Sequence, residues 1–321
     1  GLSKYLGYLL SYPYGCTEQT VSIAFPQLYF GDLADALHQG KDMRYNANYN
    51  VQEAIRKIKM RQLYNGSVTL WDNELSANWW TTVYAAHFLI EAGKAGFDVD
   101  KGLLETMLGY INGQLRDRKK INYYYNRDQH KKIVPKEVIY GLYVLALAGK
   151  PNTPVMNYYK ANPSLLSLDC KYLLAAAYAV AGDRNNYKQF LPDQFAGEES
   201  IAQTGGSFYS DIRDEAIALD VLIDADPENT QIPVMAKHVT EKLQQRSWYS
   251  TQELSFGFLA LGKIAKQQAA SDATAEIKVN GKTIAHFTGA DLKISPAQLK
   301  AGSPEIQVKG KGNIYYYWEQ E

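Results

Sequence analysis

Four stretches of the chain are apolar around most of a helical circumference and end in small residues and glycine. They are "AAHFLIEAGKAG" (85–96), "GLYVLALAGKPN" (141–152), "LLAAAYAVAGDRN" (173–185) and "LSFGFLALGKIA" (254–265). A fifth, "AIALDVLIDADPEN" (216–229), stops at Asp-Pro instead. A helix with no polar face has to be surrounded by other elements, so each of these is expected to be buried. Between them run amphipathic stretches such as "NVQEAIRKIKMRQLY" (50–64) and "VMAKHVTEKLQQR" (234–246), which have one apolar stripe and one wet face. The segment "SFYSDIRDEAIALDVL" from Ser207 recurs as "SWYSTQELSFGFLAL" from Ser247, and "NWWTTVYAAHFLI" from Asn78 fits the same frame. In that frame Trp80 matches Tyr209 and Tyr249, with a Ser or Thr placed to cap each following helix. Helical pairs at such a period stack as a solenoid or a closed ring. Buried helices alternating with amphipathic ones predict two concentric layers: a mainly α chain forming an α/α toroid of stacked hairpins over residues 1–270.

The pattern changes near Ser271. "AEIKVNGKTIAHFTG" alternates apolar and polar residues around Asn280–Gly281, a hairpin turn, and "EIQVKGKGNIYYYWEQE" reads as two further strands around a Gly-rich turn. Residues 271–321 are therefore expected to be a small β module, too short to stand alone and belonging to a neighbouring or inserted β domain. The chain opens in mid-pattern, "GLSKYLGYLLSYPYG", and is expected to be a piece of something longer. Thirty-four basic and 34 acidic residues cancel without a long like-charge run, which argues against nucleic acid as a partner. No apolar run approaches the ~20 residues of a membrane span, so this stretch is not expected to insert in a bilayer. Two cysteines, Cys16 and Cys170, provide neither a disulfide framework nor a CxxC metal pair, and no cofactor or metal is called for.

The chemistry concentrates in "YPYGCTEQT" (12–20). Pro13 biases Tyr12 away from helical geometry, and Gly15 allows a sharp turn. A helix then starts near Thr17–Gln19 and is expected to be interrupted at Pro26. Cys16 falls at the helix start, where unpaired N–H groups stabilise a thiolate. Residues i and i+3 of a helix lie roughly 5–6 Å apart at Cβ, which brings the Cys16 sulfur within reach of the Gln19 carboxamide. Loss of ammonia from that pair leaves an internal thioester.

The stretch resembles the thioester motif of the alpha-2-macroglobulin and complement family, Gly-Cys-x-Glu-Gln, and its Tyr-Pro-Tyr prefix is similar to the bacterial members. The resemblance continues through "NWWTTVYAAHFLIEAGKAGFDV" and "STQELSFGFLALGKIAK", and the toroid is the fold of that family's thioester domain. It implies a bond between Cys16 Sγ and the Gln19 carbonyl. Cleavage of a bait region elsewhere in the parent exposes this bond, and a lysine of the attacking protease then attacks it. The result is a single-turnover covalent protease inhibitor, not an enzyme, whose partners are target proteases and the other domains of its parent. It is expected to act in the periplasm or cell envelope. Glu18 matches the motif and is expected to orient the ring. Tyr12 and Tyr14 are candidates for one shielding wall, and Tyr315 and Tyr317 for a lid. His130 is the candidate for a histidine that aids transfer to hydroxyls, with a solvated loop histidine the preferred reading; His38, His87, His238 and His286 are weaker candidates.

A lone cysteine at a helix start is ordinarily a small buried hydrophobe, and Cys170 is read that way. For Cys16 the company of Gly15, Glu18, Gln19 and the toroid repeats outweighs that reading. The charged run "DIRDE" (211–215) is read as helix caps and solvated pairs. The competing class is a toroid enzyme: a cyclase, a prenyltransferase or a glycan-active enzyme. "DADPE" (224–228) is a poor Asp-rich motif at a helix end, Cys170 has no evident zinc partners, and two carboxylates across a cleft stay open. A structural module with a vestigial thioester is the third class.

Overall fold

The computed structural model describes residues 2–11, 15–38, 46–124, 129–198, 209–269, 272–289, 292–300, 302–312, 314 and 316. The chain divides into two compact units, Gly1–Leu261 and Gly262–Glu321.

The first unit is helical. After α1 (Leu2–Leu10), helices alternate between two kinds. Helices α2 (Thr17–His38), α4 (Trp79–Lys94), α6 (Lys136–Leu147), α8 (Leu168–Val180), α10 (Asp211–Ala225) and α12 (Thr251–Ala269) form the inner layer. Those with the apolar sequences are buried on every face: each residue of α4 from Trp80 to Ala92 is buried, as is each residue of α6 from Val138 to Ala146. Helices α3 (Ala47–Met60), α5 (Lys101–Gln114), α7 (Thr153–Ala161), α9 (Arg184–Phe190) and α11 (Gln231–Gln245) form the outer layer. They bury one stripe each; in α3 it is Ala47, Val51, Ala54 and Ile58, the spacing of a single helix face. Each inner helix packs on its inner neighbour, α2 on α4, α4 on α6, α6 on α8 and α8 on α10.

The ring closes through α12. Its Thr251 Oγ1 donates to both Glu18 carboxylate oxygens of α2, at 3.1 and 3.2 Å. On its other flank Glu253 accepts from Ser210 Oγ at 2.7 Å, and Gln252 Oε1 accepts from Arg213 Nη1 of α10 at 3.1 Å. Because these are all first-turn residues, the inner helices run parallel, with their N-termini gathered at one end of the ring. The glycine stops do as their positions imply. Gly96, Gly149 and Gly182 take left-handed φ just beyond α4, α6 and α8, and the next residue's N–H bonds back to Ala92, Leu145 and Tyr178 carbonyls.

Several local expectations change. Helix α2 passes through Pro26 without stopping; its backbone departs from helical values at Phe30 (φ −110°, ψ 15°), one turn later. Gly15 does not use the left-handed region, and the nearest atom to a Cβ built there is the mobile Lys57 Nζ, at 3.3 Å. A hairpin not foreseen from the sequence, β1 (Ile121–Tyr124) paired antiparallel with β2 (His130–Ile133), leads into α6.

The second unit holds a three-stranded antiparallel sheet in the order β4-β3-β5: β3 (Thr274–Val279), β4 (Lys282–Phe287) and β5 (Pro304–Lys309). Asn280 and Gly281 make the β3–β4 turn with φ of 49° and 75°, the left-handed pair an Asn-Gly hairpin needs. A bulge at Ile277/Lys278 shifts the register, and Ala275, Ile277 and Val279 are the buried face of β3. A short helix, α13 (Pro296–Leu299), precedes β5. Among the described residues no helix is long and apolar enough to cross a membrane.

Candidate functional site: the first turn of α2

Cys16 stands immediately before α2, in the position of its N-cap, and is 7% exposed. Its Sγ accepts from the Gln19 backbone N–H at 3.4 Å, and the Gln19 side-chain Oε1 accepts from the Cys16 N–H at 3.4 Å. This reciprocal pair is a capping box with sulfur in place of a serine oxygen. It turns the Gln19 carboxamide back toward the Cys16 backbone, so the two residues the sequence singled out are brought together in one turn.

The turn ahead of the box is pinned from outside. Thr17 N donates to Leu70 O at 2.9 Å, and Thr17 Oγ1 to Thr69 O at 2.6 Å. Arg61, the residue that closes α3, sends Nη1 to Gly15 O at 2.6 Å while Nε pairs with Asp72 at 2.8 Å. Nothing in the sequence marked Arg61, which reads as one more basic residue of an amphipathic helix.

Glu18 faces the ring. Besides Thr251 it accepts from Ser22 Oγ at 2.7 Å, and Ser22 Oγ, Tyr84 OH and Ser255 Oγ continue the chain at 3.1 and 2.8 Å. Burial pushes the Glu18 carboxyl up from its usual range, against hydrogen bonds from Ser22, Thr251 and Gln252 that favour the carboxylate. Burial also pushes the Cys16 thiol up. The Gln19 N–H pulls it the other way, the Glu18 charge adds to the rise, and Arg61 draws it down. The helix start therefore does not produce the thiolate-favouring site expected from sequence, because desolvation outweighs it.

The run Asp211–Glu215 also differs from expectation. Arg213, Asp214 and Glu215 are buried, not solvated. Lys136, at the start of α6, donates to both Asp169 oxygens at 3.0 and 2.9 Å and to Asp214 at 2.8 Å. Arg213 holds Asp214 by Nε and Nη2 at 3.0 and 2.8 Å and stacks 4.9 Å from the Trp80 ring. Glu215 pairs with His238 and Lys242. Burial raises the Asp169 carboxyl. Against the same cost, Lys136 and Arg213 hold Asp214 below the usual range, and the two aspartates hold the Lys136 ammonium above its own. The first turns of the inner helices thus form a polar girdle reaching from Glu18 through Gln252 and Arg213 to Asp169. A cavity of about 300 Å³ opens beside it, lined by Asp169, Asp214, Glu215, Tyr209 and Phe195 among others.

The remaining candidates are scattered. His130 opens β2, is exposed, and lines a groove built from residues 129–131, 163–171 and 196–198, with no wall from the Cys16 turn. His87 is a core residue bonded to Tyr140 OH at 2.6 Å, and His286 is exposed on β4. Cys170 is fully buried within α8, and neither it nor Cys16 is in a disulfide. "DADPE" is a helix end: Asp226 closes α10 and accepts from Tyr187 OH at 2.7 Å. Tyr12, Tyr14, Tyr315, Tyr317 and the side chain of His38 lie outside the described residues.

Residues 3–137, which carry the Cys-x-x-Gln box and the first inner helices of the toroid, match the family model for the A-macroglobulin TED domain. The chain is similar to curated bacterial alpha-2-macroglobulins. It is 29% identical over 301 residues to the alpha-2-macroglobulin of Escherichia coli K12, covering 86% of this chain and 17% of that protein. The Rickettsia conorii alpha-2-macroglobulin is 22% identical, covering 98% of this chain and 16% of that protein. The chain therefore spans under a fifth of the length of either relative. Among solved structures, native E. coli alpha-2-macroglobulin from domain MG7 to the C-terminus superposes with a TM-score of 0.67 at 20% identity, covering 97% of this chain and 48% of that one. Salmonella alpha-2-macroglobulin reacted with methylamine superposes at 0.66 and 22% identity, covering 97% of this chain and 20% of that one.

Proposed function

We propose that this chain is the acylating part of a protease-trapping inhibitor, carrying an internal thioester between Cys16 Sγ and the Gln19 side-chain carbonyl. The reading rests on the reciprocal box, in which Cys16 Sγ accepts from the Gln19 backbone N–H and the Gln19 carboxamide oxygen accepts from the Cys16 N–H. In the condensation Sγ bonds to the Gln19 carbonyl carbon, the C–N bond breaks, and ammonia leaves. In the trapping step a protease lysine amine attacks that carbon and the C–S bond breaks with its electron pair on sulfur. The proton lost by the amine returns to the thiolate. Each chain reacts once, leaving an amide to Gln19 and a free Cys16. The solved relatives described as activated by trypsin or elastase, and as reacted with methylamine, support both the protease partner and the amine chemistry. Glu18, tied to α12, orients the ring. Tyr12, Tyr14, Tyr315 and Tyr317 remain candidates to shield it, and His130 to assist transfer. Residues 1–270 act as the thioester domain, residues 271–321 belong to a β domain of the parent, and the site of action is the periplasm or cell envelope.

The test is to incubate the intact parent protein with methylamine and follow mass and free thiol together. Methylamide at Gln19 with one new thiol at Cys16 is the expected result. An inert protein with a free thiol from the outset makes the box a plain helix cap and sinks the proposal.

A further inference from the structure

Arg61 is placed where a surface lysine or arginine would have no reason to be. Its backbone is fixed on both sides: its N–H closes α3 on Ile58 O and Lys57 O, and its carbonyl accepts from Thr69 N at 3.1 Å. The side chain then runs inward, and the residue is 7% exposed. Nη1 reaches the residue before Cys16, at Gly15 O, and the residue after it, at Thr17 Oγ1, at 2.6 and 3.3 Å. Thr17 Oγ1 spends its own proton on Thr69 O, so it meets Arg61 as an acceptor. The counter-charge is off to one side: Asp72 takes Nε, and its side chain is 63% exposed. A guanidinium is charged at every accessible pH, so it supplies donors and field but never a proton. A buried cation whose carboxylate partner among the described residues lies at the wet edge keeps a field that reaches the residue between its two other contacts. The direction in which Arg61 moves the Cys16 thiol agrees.

We propose that Arg61 is the positioning residue of the Cys16–Gln19 box: it fixes the turn that aims Sγ at the carboxamide and stabilises the charge that collects on sulfur when the bond opens. This rests on the thioester reading. When an amine adds to the Gln19 carbonyl and the C–S bond breaks, the electron pair goes to Sγ, and Arg61 is the cation fixed on the turn that carries it. Lysine at this position keeps the charge but loses the fork that holds Asp72 through Nε and the Gly15–Thr17 turn through Nη1 at once.

The test compares Arg61→Gln and Arg61→Lys in the intact parent protein. Three quantities are read: the fraction of molecules that release a thiol with methylamine, the rate of release, and the pH profile of Cys16 alkylation by iodoacetamide, localised by mass. Arg61→Gln is expected to lower the release rate about tenfold, the size of a lost charge-assisted hydrogen bond. It should also move the alkylation profile to higher pH. Arg61→Lys should restore the profile while leaving the bonded fraction low. A release rate and profile unchanged in Arg61→Gln would overturn the proposal. Should Arg61→Gln form no bond at all, the alkylation profile in a Gln19→Ala background decides: an upward shift supports the role and no shift refutes it. That background carries no thioester, so its result stands apart from the fate of the thioester reading, which the unsubstituted protein's response to methylamine tests by itself.

Discussion

Replacing Lys136 with methionine removes the cation from the deepest ionic cluster of the ring while keeping the side chain's length and packing. Lys136 spends all three ammonium protons on Asp169 and Asp214, and each of the three side chains is 3% exposed or less. Asp214 keeps Arg213, but Asp169 is left with Ser167 Oγ at 2.5 Å as its remaining side-chain donor. An unpaired buried carboxylate costs about 3–5 kcal/mol. Protonation caps that loss, because charging state is free to change. Moving a carboxyl of ordinary pKa, about 3.9, to its neutral form at pH 7 costs roughly 4 kcal/mol. The expected loss at pH 7 is therefore about 4 kcal/mol, which lowers Tm by about 10 °C for a unit of this size. The sign of the pH dependence follows. In the variant Asp169 binds a proton more tightly folded than unfolded, so acid favours the fold and stability falls as pH rises. The deficit should shrink by about 1.4 kcal/mol per pH unit, to roughly 1.5 kcal/mol at pH 5. Urea unfolding of both proteins at pH 7 and pH 5, read by helical circular dichroism, measures it. A deficit under about 1 kcal/mol at pH 7, or one that does not change with pH, refutes the reasoning.

Two further substitutions probe the ring closure and the loop beside the site. Thr251→Val removes the donor that α12 gives to both Glu18 oxygens with little change of shape, and should cost about 1–2 kcal/mol in urea unfolding. A variant as stable as the parent would mean that Glu18 is held by Ser22 and Gln252 alone. Gly66→Ala should cost about 3 kcal/mol, since Gly66 has φ of +91° and its added Cβ would fall 2.0 Å from Thr106 O, a backbone atom that cannot swing away; a thermal melt within 2 °C of the parent would contradict this.

The ring was legible because helices without a polar face can be counted in the sequence, and their glycine stops mark where each ends. The Cys-x-x-Gln spacing was legible for a similar reason: the partners are three residues apart and one helical turn brings them together. What escaped was everything joined across the ring. Lys136 meets Asp169 and Asp214 at separations of 33 and 78 residues, and locally each looks like an ordinary charge in a first helical turn. First turns are normally wet, but in a closed ring of parallel inner helices they face one another, and the rule that exposes them fails. Arg61 was hidden by the same locality, as was the direction of the Cys16 shift: the helix start was visible in the sequence, while the burial that outweighs it comes from distant segments.

The closure of the ring by α12 also sets an order of events for a newly made chain. Cys16 and Gln19 are synthesised well before the Thr251 hydroxyl that fastens Glu18 between them, which lies 233 positions downstream of it. Bringing those two ends together carries the loop-closure entropy of most of the unit, so the contact forms late in folding. Until then the cysteine of a nascent chain is an ordinary thiol beside an ordinary glutamine. If the bond proposed here needs Glu18 held by that hydroxyl, it is made late, and few unfinished chains would carry a reactive acyl group.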